Sequence, residues 1–590
     1  MAITHVGLLE QSKVRGRGAL LRAWGIPLGA AAFWMLLVWI VHRNSPRTLV
    51  SFHGFIHAAI AGQFLGSRPL AFPPENPFFA GQPLPYYWFF QFLAAQVTRL
   101  VGWNIFYSLE AIILLGTGAL MIVAVILGRR LFHSSLTGIL LGYLVVAGTN
   151  PFGFLFALRE IVRHGHQVLN DDPNYLWGVV HPLYSLIRYQ DFGGLYGPLL
   201  NFFLNITARP VALAALLTLV LCLEWALQSH RPLAWGALVL ASALTTAFSP
   251  IVGIAADGAL LAGLAGYWAR ERFASGGPRA LLSLRGSAIL AAAALAILTG
   301  ILIAVPTYYH LLLNPSDSEM SFGLLSREGI RHLISVALSI SLLGLLALPG
   351  FIRATGERRQ FLGMLSAAAA LLLVADAAII MPSANQSNFF HAAVVLLAVP
   401  AAGSILHAGP GSGHPTASPR RAGAIALVFL PTLALLLASY WNRPALPADF
   451  TGVRLARLPQ DSDLALFYWW AQDETATDAV FVFDPRHRIT MAGNIAEFPA
   501  ITGRTLFTED PAHYMVGSSP EARMRAEMAT RLVSGESPTD FDRAYLRNLA
   551  RPLYIVGYKP EDVGWLKRMQ RLYGPAVFQK GDVFVFAWRN

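Results

Sequence analysis

The sequence predicts an all-α polytopic membrane bundle of about eleven transmembrane helices, followed by a soluble α/β domain. Of the 590 residues, 55% are hydrophobic and only 13% are charged, whereas an ordinary soluble protein has about 25% charged residues. Eleven segments are apolar over the roughly 20 residues that a membrane helix needs. Residues 442–590, in contrast, have the composition of a soluble domain. The composition argues against a soluble enzyme, and the 12% of aromatic residues excludes a disordered chain.

The positions of arginine and lysine give the predicted spans one orientation. Basic clusters recur in every second connection, which places the N-terminus and these clusters in the cytoplasm. The short aromatic segment 86–102 must then not span, and it is predicted to lie at the interface. The predicted spans are 23–41, 104–128, 131–149, 209–228, 232–249, 251–268, 287–308, 333–351, 360–381, 390–407 and 422–441.

This orientation predicts two domains and their compartments. Residues 1–441 form the membrane domain, whose outer loops are 42–103, 150–208 and 309–332, and residues 442–590 form the α/β domain. In a bacterium, we expect a multi-pass protein of the inner membrane whose C-terminal domain is periplasmic or extracellular. The formal charge of +11 is explained by basic cytoplasmic loops, so no nucleic-acid partner is predicted. The single cysteine excludes a disulfide within the chain.

The C-terminal domain is predicted from three apolar runs that suit strands, at 478–484, 553–558 and 582–588. Segments 519–534 and 560–571 have the spacing of helices, and Ser519 precedes a proline as an N-cap does. The domain contains neither a dinucleotide fingerprint nor a P-loop.

The first outer loop contains two histidines in an apolar stretch and one carboxylate. His53 and His57 are four positions apart and share one helical face. Glu75, within Pro-Pro-Glu-Asn-Pro, is the one carboxylate between residues 42 and 88. A carboxylate buried among apolar groups has a raised pKa and suits a general base or a metal ligand. The alternatives are a turn-capping role for Glu75 and a packing role for the histidines.

The second outer loop has the densest set of polar residues. Asp171 and Asp172 precede a proline and could converge on a sugar or on a divalent cation such as Mg²⁺ or Mn²⁺. Arg159 and Arg163 are one helical turn apart and could clamp a phosphate at the bilayer surface. The alternative is a solvated loop with weak local ion pairs.

The first loop also carries a resemblance to a known family. A His-containing helix, then PPENPFFAGQPLPYYW, then an aromatic helix resembles the first periplasmic loop of GT-C-type polytopic glycosyltransferases, including the mannosyltransferase-like and aminoarabinose-transferase-like proteins. In the tail, FYWWAQDETATDAVFVFD followed by AEFPAITGRTLFT is similar to the outer C-terminal domain of such proteins. The resemblance covers most of the chain as architecture and about 60 residues as motifs.

The resemblance implies a polyprenyl-phosphate-linked sugar as donor and an acceptor that is a glycan, a lipid or a protein. It implies substrate-binding roles for His57, Tyr86 and Tyr87, and a contact with the lipid-linked phosphate for Arg327 or Arg331 in the third loop. The chain departs from the family in one respect: His53 stands where the family has an aspartate. Either His53 is the base, or Glu75, Asp171 or Asp172 takes that role, or the protein is not a catalyst.

Two functions follow from this reasoning. The first is an inverting glycosyltransferase that acts on the outer face of the membrane, with His53, Glu75, Asp171 and Asp172 as candidate catalytic residues. The second is a non-enzymatic membrane protein, such as a transporter or flippase for a lipid-linked sugar, or a scaffold. Four acids within the predicted spans suggest a transporter, because charged side chains in the hydrocarbon must face a polar interior. They are Glu110, Glu224, Asp257 and Asp376.

Overall fold

The structure is a computed structural model in which most of the bundle and of the C-terminal region is described. It describes residues 17–44, 52–65, 71–164, 196–274, 284–310, 321–323, 327–353, 356–381, 387–408, 415–441, 463–486, 497–511, 515–517, 519–558 and 564–588. The predicted residues Asp171 and Asp172 lie outside these ranges.

Helices form the membrane region. In chain order they are α1 Arg17–Asn44, α2 Phe52–Gly62, α3 Phe89–Val101, α4 Ile105–Phe132, α5 Ser135–Ala147, α6 Gly153–His164, α7 Leu200–Phe203, α8 Arg209–Ser229, α9 Pro232–Phe248, α10 Pro250–Ala274, α11 Leu284–Ala304, α12 Arg327–Arg353, α13 Gly356–Ala378, α14 Ser387–Ala402 and α15 Pro419–Trp441. In the described ranges, nine helices are long and apolar enough to cross a membrane. The protein is therefore a mostly helical, multi-pass membrane protein.

Two of the eleven predicted spans coincide with helices that are shorter than expected. Segment 131–149 contains α5, whose 13 residues extend only about 20 Å at 1.5 Å per residue. Ser134 begins this helix by accepting a hydrogen bond from the Thr137 amide, and the Gly148 amide ends it on the Leu144 carbonyl. Segment 232–249 contains α9, of 17 residues. The prediction 131–149 extends beyond both ends of α5, because the apolar composition continues past the hydrogen-bonded turns, whereas 232–249 agrees with α9 to within one residue.

Helix α4 is central to the bundle, where it packs against α1, α5 and α8. Small residues let α4 and α5 approach closely: a Cβ on Gly128 would lie 2.3 Å from the Gly138 amide nitrogen. Such contacts are typical of helix pairs in membranes, where van der Waals packing replaces the hydrophobic effect between helices.

Two of the predicted intramembrane acids are neutralised by arginines. Glu110 accepts a hydrogen bond from Arg43 and lies 3.3 Å from His42 Nδ1. Glu224 accepts from Arg130. Both carboxylates are buried, so pairing removes most of the cost of placing a charge in the bundle.

The other two acids have hydroxyl and imidazole partners. Asp376 accepts from the Tyr196 hydroxyl at 2.8 Å and lies 3.2 Å from His332 Nε2. Asp257 accepts from the Ser242 hydroxyl at 2.8 Å. All four acids therefore have specific neighbours within the bundle.

The C-terminal region is a mixed α/β structure. Four short strands lie in the membrane region: β1 Ser321–Phe322, β2 Ile379–Ile380, β3 Leu406–Ala408 and β4 Pro415–Ala417. The five strands of the C-terminal region are β5 Val480–Val482, β6 Thr505–Leu506, β7 Leu553–Tyr558, β8 Phe578–Lys580 and β9 Val583–Ala587. The sheet order is β6-β5-β7-β9-β8, and β6, β5 and β7 are parallel. The accompanying helices are α16 Asp463–Glu474, α17 Glu497–Thr502, α18 Pro520–Ser534, α19 Asp540–Asn548 and α20 Trp565–Tyr573.

Candidate functional site

The first outer loop is bonded to the sheet of the C-terminal region. The Ala80 amide donates to the Leu506 carbonyl at 3.0 Å, and the Leu506 amide donates to the Pro77 carbonyl at 2.9 Å. Asn76 Nδ2 donates to the Met515 carbonyl at 2.6 Å. The loop and the C-terminal region therefore share one face of the bundle, as the sequence predicts.

Arg525 on α18 is the centre of this contact. Its guanidinium donates to the Ala80 carbonyl at 2.6 Å, to Glu521 at 2.8 Å and to the Tyr545 hydroxyl at 2.7 Å. It also lies 4.4 Å from the centre of the Phe79 ring. Because Arg525 is buried, its bond to the Ala80 carbonyl holds the loop against the C-terminal region with little competition from water.

Glu75 lies at the edge of the same contact. Its Oε1 accepts the Gly81 amide at 2.7 Å and also accepts a hydrogen bond from Arg551. These are the contacts of a residue that closes a turn and joins two segments of the chain. They favour the turn-capping interpretation, and a catalytic role for Glu75 stays a prediction.

His57 lies beneath the loop on α2, where it is buried. Gln91 Nε2 donates to His57 Nδ1 at 2.7 Å, and the rings of Phe90 and Tyr86 lie 5.5 and 6.0 Å away. Burial, and then the charges of His53 and Arg209, lower the pKa of His57 to about 3. The ring is therefore neutral at physiological pH. His53 lies one turn earlier on α2 and is exposed.

Tyr86 and Tyr87, both predicted to bind substrate, form one aromatic pair. Their rings stack with centres 4.2 Å apart, and the Tyr86 hydroxyl donates to that of Tyr87 at 2.9 Å. His310 Nε2 donates to the Tyr86 carbonyl at 2.9 Å. Burial lowers the pKa of His310, so this ring too favours its neutral form. The structure thus brings Tyr86 close to both His57 and a third-loop histidine.

Arg209, at the start of α8, is a site residue that the sequence reasoning missed. Its Nη1 donates to the Ser249 hydroxyl at 3.0 Å, and its charge acts on both His57 and His391. The ring of Phe202 lies 5.8 Å from the guanidinium and 4.5 Å from the His391 ring. We call His57, Arg209 and His391 the Arg209 cluster. The signal available in the sequence was an Arg-Pro pair at the end of the second outer loop.

Several polar atoms in and around the Arg209 cluster lack partners. Among the described residues, buried atoms without a hydrogen bond include Arg209 Nε, His391 Nδ1, His310 Nδ1 and Gln91 Oε1. Native proteins pair more than nine-tenths of such groups with protein or water. Gln91 contacts His57, and His310 contacts Tyr86. Arg209 and His391 both contact Phe202. The unpaired groups on these residues are candidate binding positions for a polar ligand.

The remaining predicted residues in the described ranges lie on other helices than those of the Arg209 cluster. Arg159 and Arg163 lie exposed on α6, and Arg331 lies exposed on α12. Arg327 begins α12, but its side chain is outside the description. The described residues contain no group of three metal-ligating side chains. The hypothesis of a divalent cation rests on Asp171 and Asp172, which are not described.

The sequence matches no protein-family model and no curated protein. The crystal structure of ArnT from Cupriavidus metallidurans in the apo state matches with a TM-score of 0.50 and 12% identity, covering 96% of this chain and 98% of that chain. Arabinofuranosyltransferase AftD from Mycobacteria matches with a TM-score of 0.48 and 16% identity, covering 96% of this chain and 41% of that chain.

The archaeal oligosaccharyltransferase AglB from Archaeoglobus fulgidus, in complex with an inhibitory peptide and a dolichol-phosphate, has a TM-score of 0.41 and 11% identity, covering 94% and 71% of the two chains. Another structure of that oligosaccharyltransferase is a complex with Zn and sulfate. At these identities the likeness to ArnT, whose full length this chain matches, shows the fold alone. The chain therefore has the fold of the GT-C membrane glycosyltransferases, as the resemblance in its first loop and tail implies.

Proposed function

We propose that this protein is an integral membrane glycosyltransferase that moves a sugar from a polyprenyl-phosphate donor to an acceptor on the outer face, with inversion. The observation that carries the proposal is Arg209, whose buried Nε has no hydrogen-bond partner among the described residues. The charge of this cation acts on the buried, neutral His57, whose ring lies 6.0 Å from that of Tyr86 in the first outer loop. An arginine with spare donors in a partly buried site suits a phosphate.

The proposed chemistry is a single displacement at the anomeric carbon. The acceptor oxygen forms the new glycosidic bond while the bond from that carbon to the donor phosphate breaks, and a general base takes the acceptor proton. Polyprenyl phosphate leaves with the bonding electrons. Arg209 would stabilise the charge that develops on this phosphate, which is the transition-state contribution expected of a preorganised cation.

His53 is the proposed base. It lies exposed on the same helix as His57, at the face where an acceptor arrives from water. An exposed imidazole can take a proton near neutral pH. Glu75, Asp171 and Asp172 stay as alternative bases. Asp171 and Asp172 also stay as the ligands of a proposed Mg²⁺ or Mn²⁺ ion.

Further contacts with the substrates are proposed from the sequence. Tyr86 and Tyr87 offer an aromatic surface and hydroxyls to a sugar. Arginines of the second and third loops extend the positive charge that a donor phosphate would meet: Arg159, Arg163, Arg327 and Arg331. The acceptor is a glycan, a lipid or a protein.

A transporter or flippase would need polar residues that continue through the bundle. Glu224 lines a cavity at the far end of α8, but Asp257 is not among the residues that line it. Asp257 is buried against Ser242. The described residues thus give the transporter function less support than the transferase.

The test is a sugar-transfer assay with purified protein and a polyprenyl-phosphate sugar. We expect Arg209→Gln to lower kcat by about 100-fold or more, as the loss of one preorganised donor does in other enzymes. Arg231→Gln, an exposed arginine just beyond the opposite end of α8, is the matched control and should keep full activity. His53→Ala should abolish the rise of activity with pH near neutrality. Equal activity of Arg209→Gln and Arg231→Gln would refute the assignment of the phosphate site.

A further inference from the structure

A cavity of about 360 Å³ lies between α4, α8, α10, α11 and α13. It contains none of the residues of the Arg209 cluster. Glu224 follows Arg209 by 15 positions on α8, and at 1.5 Å per residue the two are about 22 Å apart along the helix. Arg130, which also lines the cavity, lies in the last turn of α4. The cavity is therefore at the opposite end of the bundle from the first outer loop.

Two arginines and two glutamates line this cavity: Arg130, Arg358, Glu224 and Glu357, of which Glu357 is exposed. Arg130 donates to Glu224, and the two form a neutral pair. Arg358 Nη2 instead lies 3.1 Å from His133 Nε2, and in the described chain its hydrogen bond goes to no carboxylate. Glu224 acts on Arg358 only at longer range. A half-buried guanidinium with donors to spare is a binding group for a phosphate.

The opposite wall of the cavity is apolar. Leu264, Ile289, Leu290 and Met364 line it, on three helices that are candidate membrane spans. Free phosphate gains nothing from such a wall, whereas an amphiphile buries its acyl or glycerol carbons there. The volume is within the range of small-molecule sites.

We infer that this cavity binds the phosphate headgroup of a bilayer phospholipid, with Arg358 as the main cation and the leucine-rich wall against the glycerol backbone. The arginine-rich connections at this end of the bundle predict that the lipid comes from the cytoplasmic leaflet. The site is separate from the proposed transfer reaction, because it lies at the far end of α4 and α8.

The experiment measures lipid retention by native mass spectrometry of the full chain titrated with phosphatidylglycerol in detergent. Arg358→Gln should weaken binding about tenfold, as expected from the loss of a charge-assisted hydrogen bond. Arg359→Gln is the matched control, since Arg359 is the next residue, is exposed and is outside the lining. Leu290→Trp fills the apolar side and should weaken lipid binding without changing the charge.

Two results would overturn the inference. One is equal retention by Arg358→Gln and wild type, or an equal loss in Arg359→Gln. The other is that inorganic phosphate saturates the site at a concentration similar to that of phosphatidylglycerol, and that Leu290→Trp does not change this phosphate binding. The site would then bind a free anion and not a lipid. Binding of phosphatidylglycerol that excess inorganic phosphate does not displace supports the lipid.

Discussion

Replacing Arg525 should release the first outer loop from the C-terminal region. Arg525→Met keeps an unbranched side chain of similar length over Phe79, but it removes the donors to the Ala80 carbonyl, Glu521 and Tyr545. The side chain of Arg525 is 3% exposed, and that of Glu521 is 39% exposed. The Arg525–Glu521 pair joins two residues of one helix, so the bond to the Ala80 carbonyl is the one of these three that joins the loop. A hydrogen bond from a charged donor contributes about 1.5–3 kcal/mol, and we expect a loss of this size at the loop.

The assay is hydrogen exchange at the two amides that join the loop to the sheet, those of Ala80 and Leu506. If these amides exchange through local opening, a loss of about 1.5–3 kcal/mol raises their exchange rates by about 10-fold to 160-fold. Arg523→Met on the same helix is the control, because Arg523 is exposed. An Arg525→Met protein whose Ala80 and Leu506 amides exchange as slowly as in the control would refute the reasoning.

Two further predictions concern the C-terminal region. Burial raises the pKa of the Glu521 carboxyl, but the hydrogen bond from Tyr545 and the charge of Arg525 outweigh it, so the pKa lies below its ordinary value of 4.5. The stability this provides is complete above pH 4.5 and is lost as the pH falls through the folded pKa. The protection of the Ala80 amide, relative to its intrinsic exchange rate at each pH, should therefore fall in that acidic window, and less so in Glu521→Gln. Gly557→Ala places a Cβ 2.1 Å from the Trp565 ring, and this overpacking should lower the free energy of unfolding by about 1–3 kcal/mol in denaturant. The control is Gly266→Ala, whose Cβ would meet nothing within 4 Å and which should be near neutral. Equal unfolding midpoints for the two variants would contradict the overpacking.

Local patterns in the sequence predicted the elements well, and they also predicted that the first outer loop and the tail share a face. Hydropathy located the helices of the bundle because each is a continuous apolar run. The strands at 478–484, 553–558 and 582–588 are confirmed as β5, β7 and β9. The short strands β6 and β8 were missed, because two or three residues carry too little periodicity.

The site was harder to predict, because its contacts join residues that are far apart in sequence. Nothing near Glu75 indicates that Arg551, 476 positions later, is its partner. Arg209 begins a long apolar helix and was therefore taken as part of a span. Only the packing of α8 against its neighbours shows that its charge acts on His57 and His391.

The burial of Ala80 in the C-terminal region has a consequence for the order in which the protein folds. Ala80 is fully buried within the hydrophobic core of the C-terminal region, and its carbonyl accepts from Arg525, 445 positions later. During synthesis this part of the chain emerges long before the partner that encloses it. The apolar side chains of the loop therefore stay uncovered until the ribosome has synthesised Arg525 and the strands around it. A chain that stops before Arg525 would leave this surface exposed to chaperones and proteases, so synthesis of the C-terminal region must precede the folding of the loop.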